Sequence, residues 1–297
     1  MKKIFAVLLA AAALICLSVT ASAAVHLNDG VSILNPQKNI HGQGYEWDNI
    51  HDTLTLNNLY IDTTDEYGMK LPDGATVILK GTNYIKASSY ALYLGGKVQF
   101  KGNGKLILEG ETGVFCNSSD KTDNVSIISG KYEINASKTG IRSAVQDIYL
   151  TGAKMKISAG EIAADVHSLS VADGMKLTAD APLKAAYLLA VEACDVTVDA
   201  GSKGPALYSA GRLTVDRVDV ALSASSSPSD TEYDGGSYIR TKSNWKYMKS
   251  SIIFGENVSF AVDVILFVLL IGVIAALILL PKYFKKKKLE KILKEKM

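Results

Sequence analysis

The chain has 297 residues, of which 48% are apolar and 21% are charged, and its formal net charge is +2. The charge is unevenly distributed, because residues 24–262 contain 22 basic and 27 acidic side chains, a balance of 22 − 27 = −5. A mildly acidic region without a basic run argues against a nucleic-acid partner. Its length is sufficient for one large domain or two small ones.

The first 23 residues predict a secretory signal peptide. Two lysines precede an apolar run over residues 4–17, and Ala21-Ser22-Ala23 provides the small residues of a cleavage site. A charged start, an apolar middle and a small-residue end are the three parts of such a peptide. We expect cleavage after Ala23 and export of the chain, as in a bacterial surface protein.

The C-terminal end predicts a membrane helix over residues 258–280. Val264 to Leu280 is an unbroken apolar run, and about 20 such residues span the hydrocarbon core of a bilayer. The basic tail over residues 281–297 has eight lysines and two glutamates, and such a tail stays in the cytoplasm. These features predict a single-pass type I protein of the cell membrane, with its N-terminal domain extracellular and its C-terminus cytoplasmic.

The region between these ends repeats a unit of three short strands. The first strand alternates apolar and polar residues, which predicts one buried face. Its first apolar position recurs at Leu54, Val77, Val98, Val125, Ile148, Leu169, Leu189 and Leu213. A second strand follows a corner that contains glycine in several repeats. The third strand has an apolar second residue, at Met69, Leu92, Val114, Ile141, Ile162, Leu183 and Leu207.

Three strands in so short a unit pair with the equivalent strands of the next unit. The repeat therefore predicts an all-β fold, a right-handed parallel β-helix of about eight rungs over residues 51–222. Residues 24–50 are expected to form an N-terminal cap, and residues 223–257 a linker or juxtamembrane stalk. A β-sandwich is the alternative, although the sequence contains few Asp-Gly hairpin turns.

Two cysteines lie within the predicted β-helix. Cys116 ends the third strand of the third rung, and Cys194 lies in the first corner of the seventh. Four rungs at about 4.8 Å place them roughly 19 Å apart along the axis, whereas a disulfide requires Cα atoms within about 7 Å. We therefore expect two free, buried thiols.

Three motifs carry a resemblance to a known family. They are Tyr45-Glu46-Trp47-Asp48, Thr53-Leu54-Thr55-Leu56-Asn57-Asn58, and the run from Leu71-Pro72-Asp73-Gly74 through Ala75-Thr76-Val77-Ile78-Leu79-Lys80 to Gly81-Thr82-Asn83. Over roughly residues 45–222 the chain resembles secreted bacterial β-helix proteins described as carbohydrate-binding domain-containing. The resemblance implies the parallel β-helix fold and binding of acidic polysaccharide, in some members with calcium.

The outward position of the third strand carries the candidate ligand-binding residues. That position reads Lys70, Tyr93, Phe115, Arg142, Ala163, Lys184 and Tyr208. Aromatic rings offer apolar faces to sugar rings, so the sequence suggests a carbohydrate-binding stripe made of Tyr93, Phe115, Arg142 and Tyr208. Outward tyrosines are also common in strands because of their β-propensity, which is the alternative explanation.

An enzyme is the main alternative, because parallel β-helices also carry polysaccharide-degrading activities. Glycoside hydrolysis requires two carboxylates about 5–9.5 Å apart, and the candidate pairs are Asp195/Asp199 and Asp216/Asp219. No rung places a basic partner beside adjacent acids, and the four histidines lack metal-ligand spacing. We therefore predict a non-catalytic protein without a metal or other cofactor that binds a polysaccharide or surface glycan. A polysaccharide lyase or glycoside hydrolase, and a structural or adhesive protein with protein partners, are the alternatives.

Overall fold

The computed structural model describes residues 25–216, 219–224, 237–239 and 252–254. The predicted signal peptide, membrane helix and cytoplasmic tail lie outside these residues, as does most of the predicted linker. Among the residues described, no helix is long and apolar enough to cross a membrane.

The described part of the chain consists of short strands. In chain order these are β1 (Val25–Leu27), β2 (Val31–Ser32), β3 (Ile40–Gly42), β4 (Tyr45–Asp48), β5 (Thr53–Asn57), β6 (Leu59–Asp62), β7 (Tyr67–Leu71), β8 (Thr76–Lys80), β9 (Thr82–Lys86), β10 (Tyr90–Leu94), β11 (Val98–Gly102), β12 (Lys105–Cys116), β13 (Asn124–Ile127), β14 (Lys131–Ser143), β15 (Asp147–Thr151), β16 (Lys154–Ala159), β17 (Ile162–Ala172), β18 (Lys176–Ala179), β19 (Leu183–Glu192), β20 (Asp195–Gly201), β21 (Leu207–Ser209), β22 (Arg212–Asp216), β23 (Asp219–Ala224), β24 (Ser237–Ile239) and β25 (Ile252–Phe254).

These strands stack in parallel with the equivalent strands of neighbouring turns, which confirms the predicted solenoid. The first sheet runs from β5 through β8, β11, β13 and β15 to β22, and the second from β1 through β6 and β9 to β23. The third sheet runs from β2 through β7 and β10 to β21. The long strands β12, β14, β17 and β19 bend at a corner and contribute to two sheets each.

The solenoid has about seven turns rather than the expected eight. The parallel ladder of the third sheet ends at β21, where β24 pairs antiparallel, and β25 pairs antiparallel with β22. At the other end, the β3–β4 hairpin pairs antiparallel with β5 and buries Trp47 completely. Because an open sheet edge invites association, it is relevant that these antiparallel strands cover both ends of the first sheet and the last strand of the third.

Seven corners between the first and second sheets contain a residue with positive φ. They are Asn58, Gly81, Gly102, Gly130, Gly152, Asp173 and Ala193, with φ between 47° and 121°. The four glycines that the sequence placed at this corner all adopt this left-handed conformation, which glycine tolerates without strain. The corner geometry is therefore retained where the sequence supplies asparagine, aspartate or alanine instead.

In two places the strand register differs from the predicted one by two residues. In the first sheet, Phe100 rather than Val98 pairs with Val77. In the second sheet, Leu177 takes the position expected for Met175, which is buried in the preceding corner. Because side chains alternate with a period of two, a two-residue shift keeps the same residues facing the core. In these two strands the inward and outward assignments were therefore correct even where the partners were not.

The third sheet has a similar shift that changes its outward face. Ala164 rather than Ile162 pairs with Ile141, so Ile141 lies between Val114 and Ala164. The outward residue of this strand is consequently Asp165. The expected outward residue, Ala163, is fully buried. The offset between partners is 23 residues both before and after this corner, so Ile162 lies opposite Thr139, at the position that Tyr67 and Tyr90 occupy in earlier turns.

Asn83 is a fully buried polar residue in the second sheet. Its side-chain oxygen accepts a hydrogen bond from the Leu59 amide at 3.0 Å. Its side-chain nitrogen donates to the carbonyl oxygens of Lys80 at 3.0 Å and Lys105 at 3.2 Å. Because a buried amide must find partners, these bonds explain how the ladder accepts a polar residue at an inward position. They also connect three consecutive turns.

Gln146 performs a similar role beside the longest loop of the solenoid, residues 117–123. It is fully buried, and its Nε2 donates to the Gly96 carbonyl at 2.8 Å, two turns away. The Gln146 Oε1 accepts a hydrogen bond from the Ser118 backbone amide at 3.2 Å. The backbone amide of Gln146 donates to Ser143 Oγ at 2.9 Å. The loop is therefore tied to the turns on both sides of it.

Candidate functional site

The outward face of the third sheet carries four contacting aromatic rings, which we name the aromatic cluster: Tyr67, Tyr90, Tyr93 and Phe115. Tyr90 stacks on Tyr67 with 5.4 Å between ring centroids and on Phe115 with 4.6 Å. Tyr93 meets Tyr67 edge-on at 5.1 Å and lies tilted against Phe115 at 5.8 Å. All four rings are partly exposed. They therefore form one continuous aromatic surface.

The strand register explains why these rings meet. Tyr67 and Tyr90 begin neighbouring strands and pair with each other. Three residues further along, Lys70, Tyr93 and Phe115 pair in the same ladder. The two residues between these positions in β7 and β10 face the core. Each of the strands β7 and β10 thus has two residues on the outward face of the third sheet. Together with Phe115 of β12, these residues bring rings from three consecutive turns into contact.

Polar groups border the aromatic cluster. The Lys70 ammonium lies 3.6 Å from the centroid of the Tyr67 ring and 5.7 Å from that of Tyr93, within the range of cation–π attraction. At the other end, Asn117 Nδ2 donates a hydrogen bond to the Tyr93 hydroxyl. A flat apolar surface with hydrogen-bonding groups at its edge matches a sugar ring, which has apolar faces and hydroxyl edges.

Tyr67 is uncharged at physiological pH. Burial raises the pKa of Tyr67 to about 12, and a hydrogen bond with Glu66 acts in the same direction. Nearby, Lys138 and Glu111 form an ion pair at 2.9 Å, which raises the pKa of Lys138. Aromatic rings therefore make up most of this surface, with Lys70 and Arg142 at its borders.

Three of the four candidate ligand-binding residues lie together, and the fourth lies apart. Arg142 is exposed and pairs with Phe115, which in turn pairs with Tyr93. Tyr208 lies four strands beyond Phe115, about 19 Å along the axis at the usual strand spacing. Its side chain is only 7% exposed. Ligand binding by these residues stays a prediction, and Tyr208 has little surface to offer.

Sequence reasoning missed Tyr67 and Tyr90. Both were overlooked because the alternating pattern assigns one outward position to each short strand, whereas β7 and β10 present two. The signal was nonetheless present, since a tyrosine precedes the apolar pair at the same point of two successive repeats. The correction of Ala163 to Asp165 also places a carboxylate directly after Arg142, and Asp165 forms an ion pair with Lys184 at 3.6 Å.

A second aromatic pair lies at the corner between the third and first sheets. The rings of His167 and Tyr187 stack at 5.6 Å, and Tyr187 is 66% exposed. Asp147 Oδ1 lies 3.0 Å and Ser168 Oγ 3.2 Å from the same His167 nitrogen, Nδ1. A Ser-His-Asp relay requires its serine and aspartate on different ring nitrogens. The arrangement therefore orients the histidine ring but does not activate the serine.

The carboxylate pairs proposed from the sequence are not the pairs that the ladder forms. Asp195 and Asp199 lie four residues apart on β20, so about 13 Å of extended strand separates them. Asp195 instead forms an ion pair with Lys176 at 2.7 Å and pairs in the ladder with Asp219. Asp216 lies opposite Glu192 in the backbone ladder. The structure does not describe the side chains of Asp216 and Asp219.

The calcium ion implied by the resemblance has no matching ligand set among the described residues. Calcium takes six to eight oxygen ligands, and no three His, Cys, Asp or Glu side chains converge within this part of the chain. In the loop of residues 117–123, the Asp120 carboxylate accepts hydrogen bonds from the backbone amide and the hydroxyl of Thr122. These bonds lower the pKa of Asp120. Asp123 accepts from Ser118 Oγ.

A comparison with models of protein families identifies the family of this solenoid. The family model described as "carbohydrate-binding domain-containing protein" matches residues 49–252, which is more than half of the chain. The chain belongs to this family. The resemblance noted from the Tyr45–Asp48 motif and the two that follow it is thereby confirmed. No curated protein and no solved structure matches the chain significantly. Membership in the carbohydrate-binding domain-containing family supports carbohydrate binding.

Proposed function

We propose that this chain binds carbohydrate through the aromatic cluster, with Arg142 at its edge, and does not cleave it. The observation that carries the proposal is the continuous surface of Tyr67, Tyr90, Tyr93 and Phe115 on a flat parallel sheet. Family membership supports the same ligand class. The four rings are held by one another and by the strand ladder, so little side-chain entropy is lost when a sugar ring stacks on them.

The site favours a polymer over a single sugar. The rings come from three consecutive turns, and Arg142 adds a fourth. Strands about 4.8 Å apart make this surface roughly 14 Å long along the solenoid axis. An open, flat face leaves one side of each sugar in water, so several units must bind together to give useful affinity. We infer a polysaccharide or surface glycan lying along the axis.

We further propose that binding takes place at the cell surface and that the chain is anchored in the membrane. The proposal rests on the signal-peptide pattern of residues 1–23 and the apolar run of residues 264–280 followed by lysines. Protease added to whole cells should digest the solenoid and leave a small protected fragment with the lysine tail. Protection of the solenoid instead would contradict this orientation.

A glycan array probed with the purified full-length chain tests the proposed ligand class. We expect binding to a polysaccharide, weakened at least about tenfold by Tyr93→Ala or Phe115→Ala, a loss of about 1.4 kcal/mol. The matched control is Tyr60→Ala, because Tyr60 and Tyr84 form an equivalent stacked pair, at 4.8 Å, on the second sheet. Equal loss in the control would contradict the assignment to the third sheet.

The same samples separate binding from the two alternative functions. We expect no new reducing ends and no unsaturated product when the bound polysaccharide is incubated with the chain. Product formation would establish a hydrolase or a lyase. An array without any bound glycan would instead favour a structural or adhesive protein with protein partners. Repeating the array with a calcium chelator tests the metal dependence that the family resemblance implies.

A further inference from the structure

The outward face of the second sheet carries four lysines on consecutive turns, which we name the lysine row: Lys105, Lys131, Lys154 and Lys176. Each lysine pairs directly with the next in the parallel ladder. Three strand spacings of about 4.8 Å make the row roughly 14 Å long, parallel to the solenoid axis. The last three are exposed and the first is half-buried.

The two central lysines of the row are not neutralised within the described part of the chain. Lys105 forms an ion pair with Glu133 and Lys176 with Asp195, each at 2.7 Å. Lys131 and Lys154 form no ion pair with any residue described. Like charges placed directly opposite each other on neighbouring strands repel. A row of this kind therefore weakens the fold unless an anion binds to it.

The residues beside the row extend its positive field. Lys156 is exposed two residues after Lys154 on the same strand. Glu133, which lies two residues after Lys131, has its pKa lowered first by the hydrogen bond from Lys105 and further by the charge of Lys156. Glu109, at the edge of the same face, accepts a hydrogen bond from the Tyr84 hydroxyl at 2.8 Å. Positive charge is therefore in excess along the middle of the row.

We propose that the lysine row binds a linear polymer of phosphodiester-linked polyols. A linear polyanion matches ammonium groups that repeat along one straight line. The second-sheet strands of these turns contain lysine but no arginine. Lysine binds phosphate as a point charge, and each repeat of such a polymer carries one phosphodiester charge, so successive ammonium groups can each meet a separate charge. The outward positions of these four strands carry no aromatic ring, since Tyr132 faces the core and is buried, so the row has no platform for nucleic-acid bases.

This site is independent of the proposed carbohydrate site, because it lies on a different sheet and uses charge instead of ring stacking. Its binding should weaken steeply with salt, since exposed charges are screened over about 10 Å at 0.1 M ionic strength. Binding at the aromatic cluster should change little with salt. The two sites are therefore distinguishable by experiment even if one polymer carries both sugars and phosphates.

The test measures binding of poly(glycerol phosphate) to the purified full-length chain by isothermal titration at two salt concentrations. We expect Lys131→Gln/Lys154→Gln to weaken binding at least about tenfold. The charge-retaining variant Lys131→Arg/Lys154→Arg should bind within about threefold of the unchanged chain. The matched control is Lys97→Gln/Lys121→Gln, which removes the same charge from exposed lysines off the row. It should bind normally.

Several outcomes would overturn the proposal. These are an unchanged affinity in Lys131→Gln/Lys154→Gln, an equal loss in the control, and equally tight binding of polygalacturonate or single-stranded DNA. The melting temperature of the Lys131→Gln/Lys154→Gln variant should be equal or higher, because repulsion is relieved. This variant should also keep its glycan-array binding, whereas Tyr93→Ala should keep its binding of poly(glycerol phosphate). Failure of one proposal would thus leave the other intact.

Discussion

The first three turns and the last three turns of the solenoid are filled by different side chains. In the first three, the inward rows are dominated by large residues such as Leu54, Leu56, Met69 and Leu92, all almost fully buried. In the last three, alanines take many inward and corner positions: Ala153, Ala159, Ala163, Ala164, Ala179, Ala181, Ala185, Ala200 and Ala206. The aromatic cluster lies on the outside of the first group.

The difference in core side chains implies a different source of stability in the two regions. Each buried methylene contributes about 0.8 kcal/mol, so the first turns are stabilised mainly by aliphatic burial. In the last turns a larger share of the stability must come from the backbone ladders that all turns have in common. The candidate carbohydrate site is therefore built on the part of the core with the larger side chains, where loss of a surface ring leaves the interior unchanged.

The largest effect is expected at the boundary between the two regions. Ile141 is 2% exposed and lies between Val114 and Ala164. Ile141→Asp buries a charge among aliphatic side chains and should cost at least several kcal/mol of unfolding free energy. Ile141→Val is the control and should cost about 0.5–1.5 kcal/mol. A denaturant melt of Ile141→Asp that matches the unchanged chain would contradict the inward register.

A cavity in the first region should have the next largest effect. Leu92 is 1% exposed and lies on the same inward row as Met69 and Val114. Leu92→Ala should cost about 2–5 kcal/mol, because the rigid ladders prevent the surrounding side chains from closing the cavity. Chemical denaturation measures the change. A cost below about 1 kcal/mol would show that this part of the core is not closely packed.

Loss of the buried amide tests whether hydrogen bonds also stabilise the first region. Asn83→Ala removes an acceptor from the Leu59 amide and a donor from two carbonyl oxygens. Each buried group left unsatisfied costs about 1–3 kcal/mol, although water entering the space would satisfy part of them. We expect a total loss of about 2–3 kcal/mol. Faster hydrogen exchange at Leu59 would locate the effect, and unchanged exchange there would contradict it.

Overpacking tests the last region, where there is little room to add atoms. Ala164 is 1% exposed and occupies the inward position that leucine occupies at Leu92 and Leu183. Ala164→Leu should cost about 1–3 kcal/mol, because added methylenes force neighbouring side chains from their rotamers. Leu183→Met keeps the volume and is the matched control. A stabilised Ala164→Leu variant would show that the alanines leave unfilled space.

The smallest effect compares one cysteine in each region. Cys116 and Cys194 are free and buried, and burial raises the pKa of each thiol to about 12. A thiol that is harder to ionise when folded stabilises the fold below its unfolded pKa, near 9, and this stability is lost as the pH rises from 9 to 12. At pH 10 each thiol should lower the free energy of unfolding by about 1.4 kcal/mol relative to pH 8.

Denaturant unfolding between pH 8 and 10 measures how the free energy of unfolding depends on pH. Each single cysteine-to-alanine variant should remove about half of the part of this dependence that comes from the two thiols. Titration of the unfolded, unreduced chain with a thiol reagent should find every cysteine free. An intramolecular bond between Cys116 and Cys194, found by mass spectrometry, would contradict the solenoid itself, because the two lie four turns apart.

The sequence alone was sufficient for the architecture. Period-2 alternation within a short repeat leaves parallel stacking as the solution that pairs every strand, and the structure has it. The inward rows, the left-handed glycine corners and the free cysteines follow from the same repeat. The signal peptide and membrane helix remain predictions from the sequence. Alternation is a property of one strand, so the inward assignments survive an error of pairing where a strand alternates strictly. They failed at Ala163 and Ala164, which are successive and both buried.

Cross-strand neighbours were decided only by the tertiary structure. The offset between these two turns is 23 residues, so the partner of Ile141 is Ala164 rather than Ile162, and Asp165 faces outward beside Arg142. The aromatic cluster required β7 and β10 to present two outward positions each. The lysine row escaped notice because its members are more than twenty residues apart in an acidic region. Parallel stacking places residues one repeat apart within about 5 Å. The surface chemistry therefore depends on the pairing register between strands, which the alternating pattern within one strand does not determine.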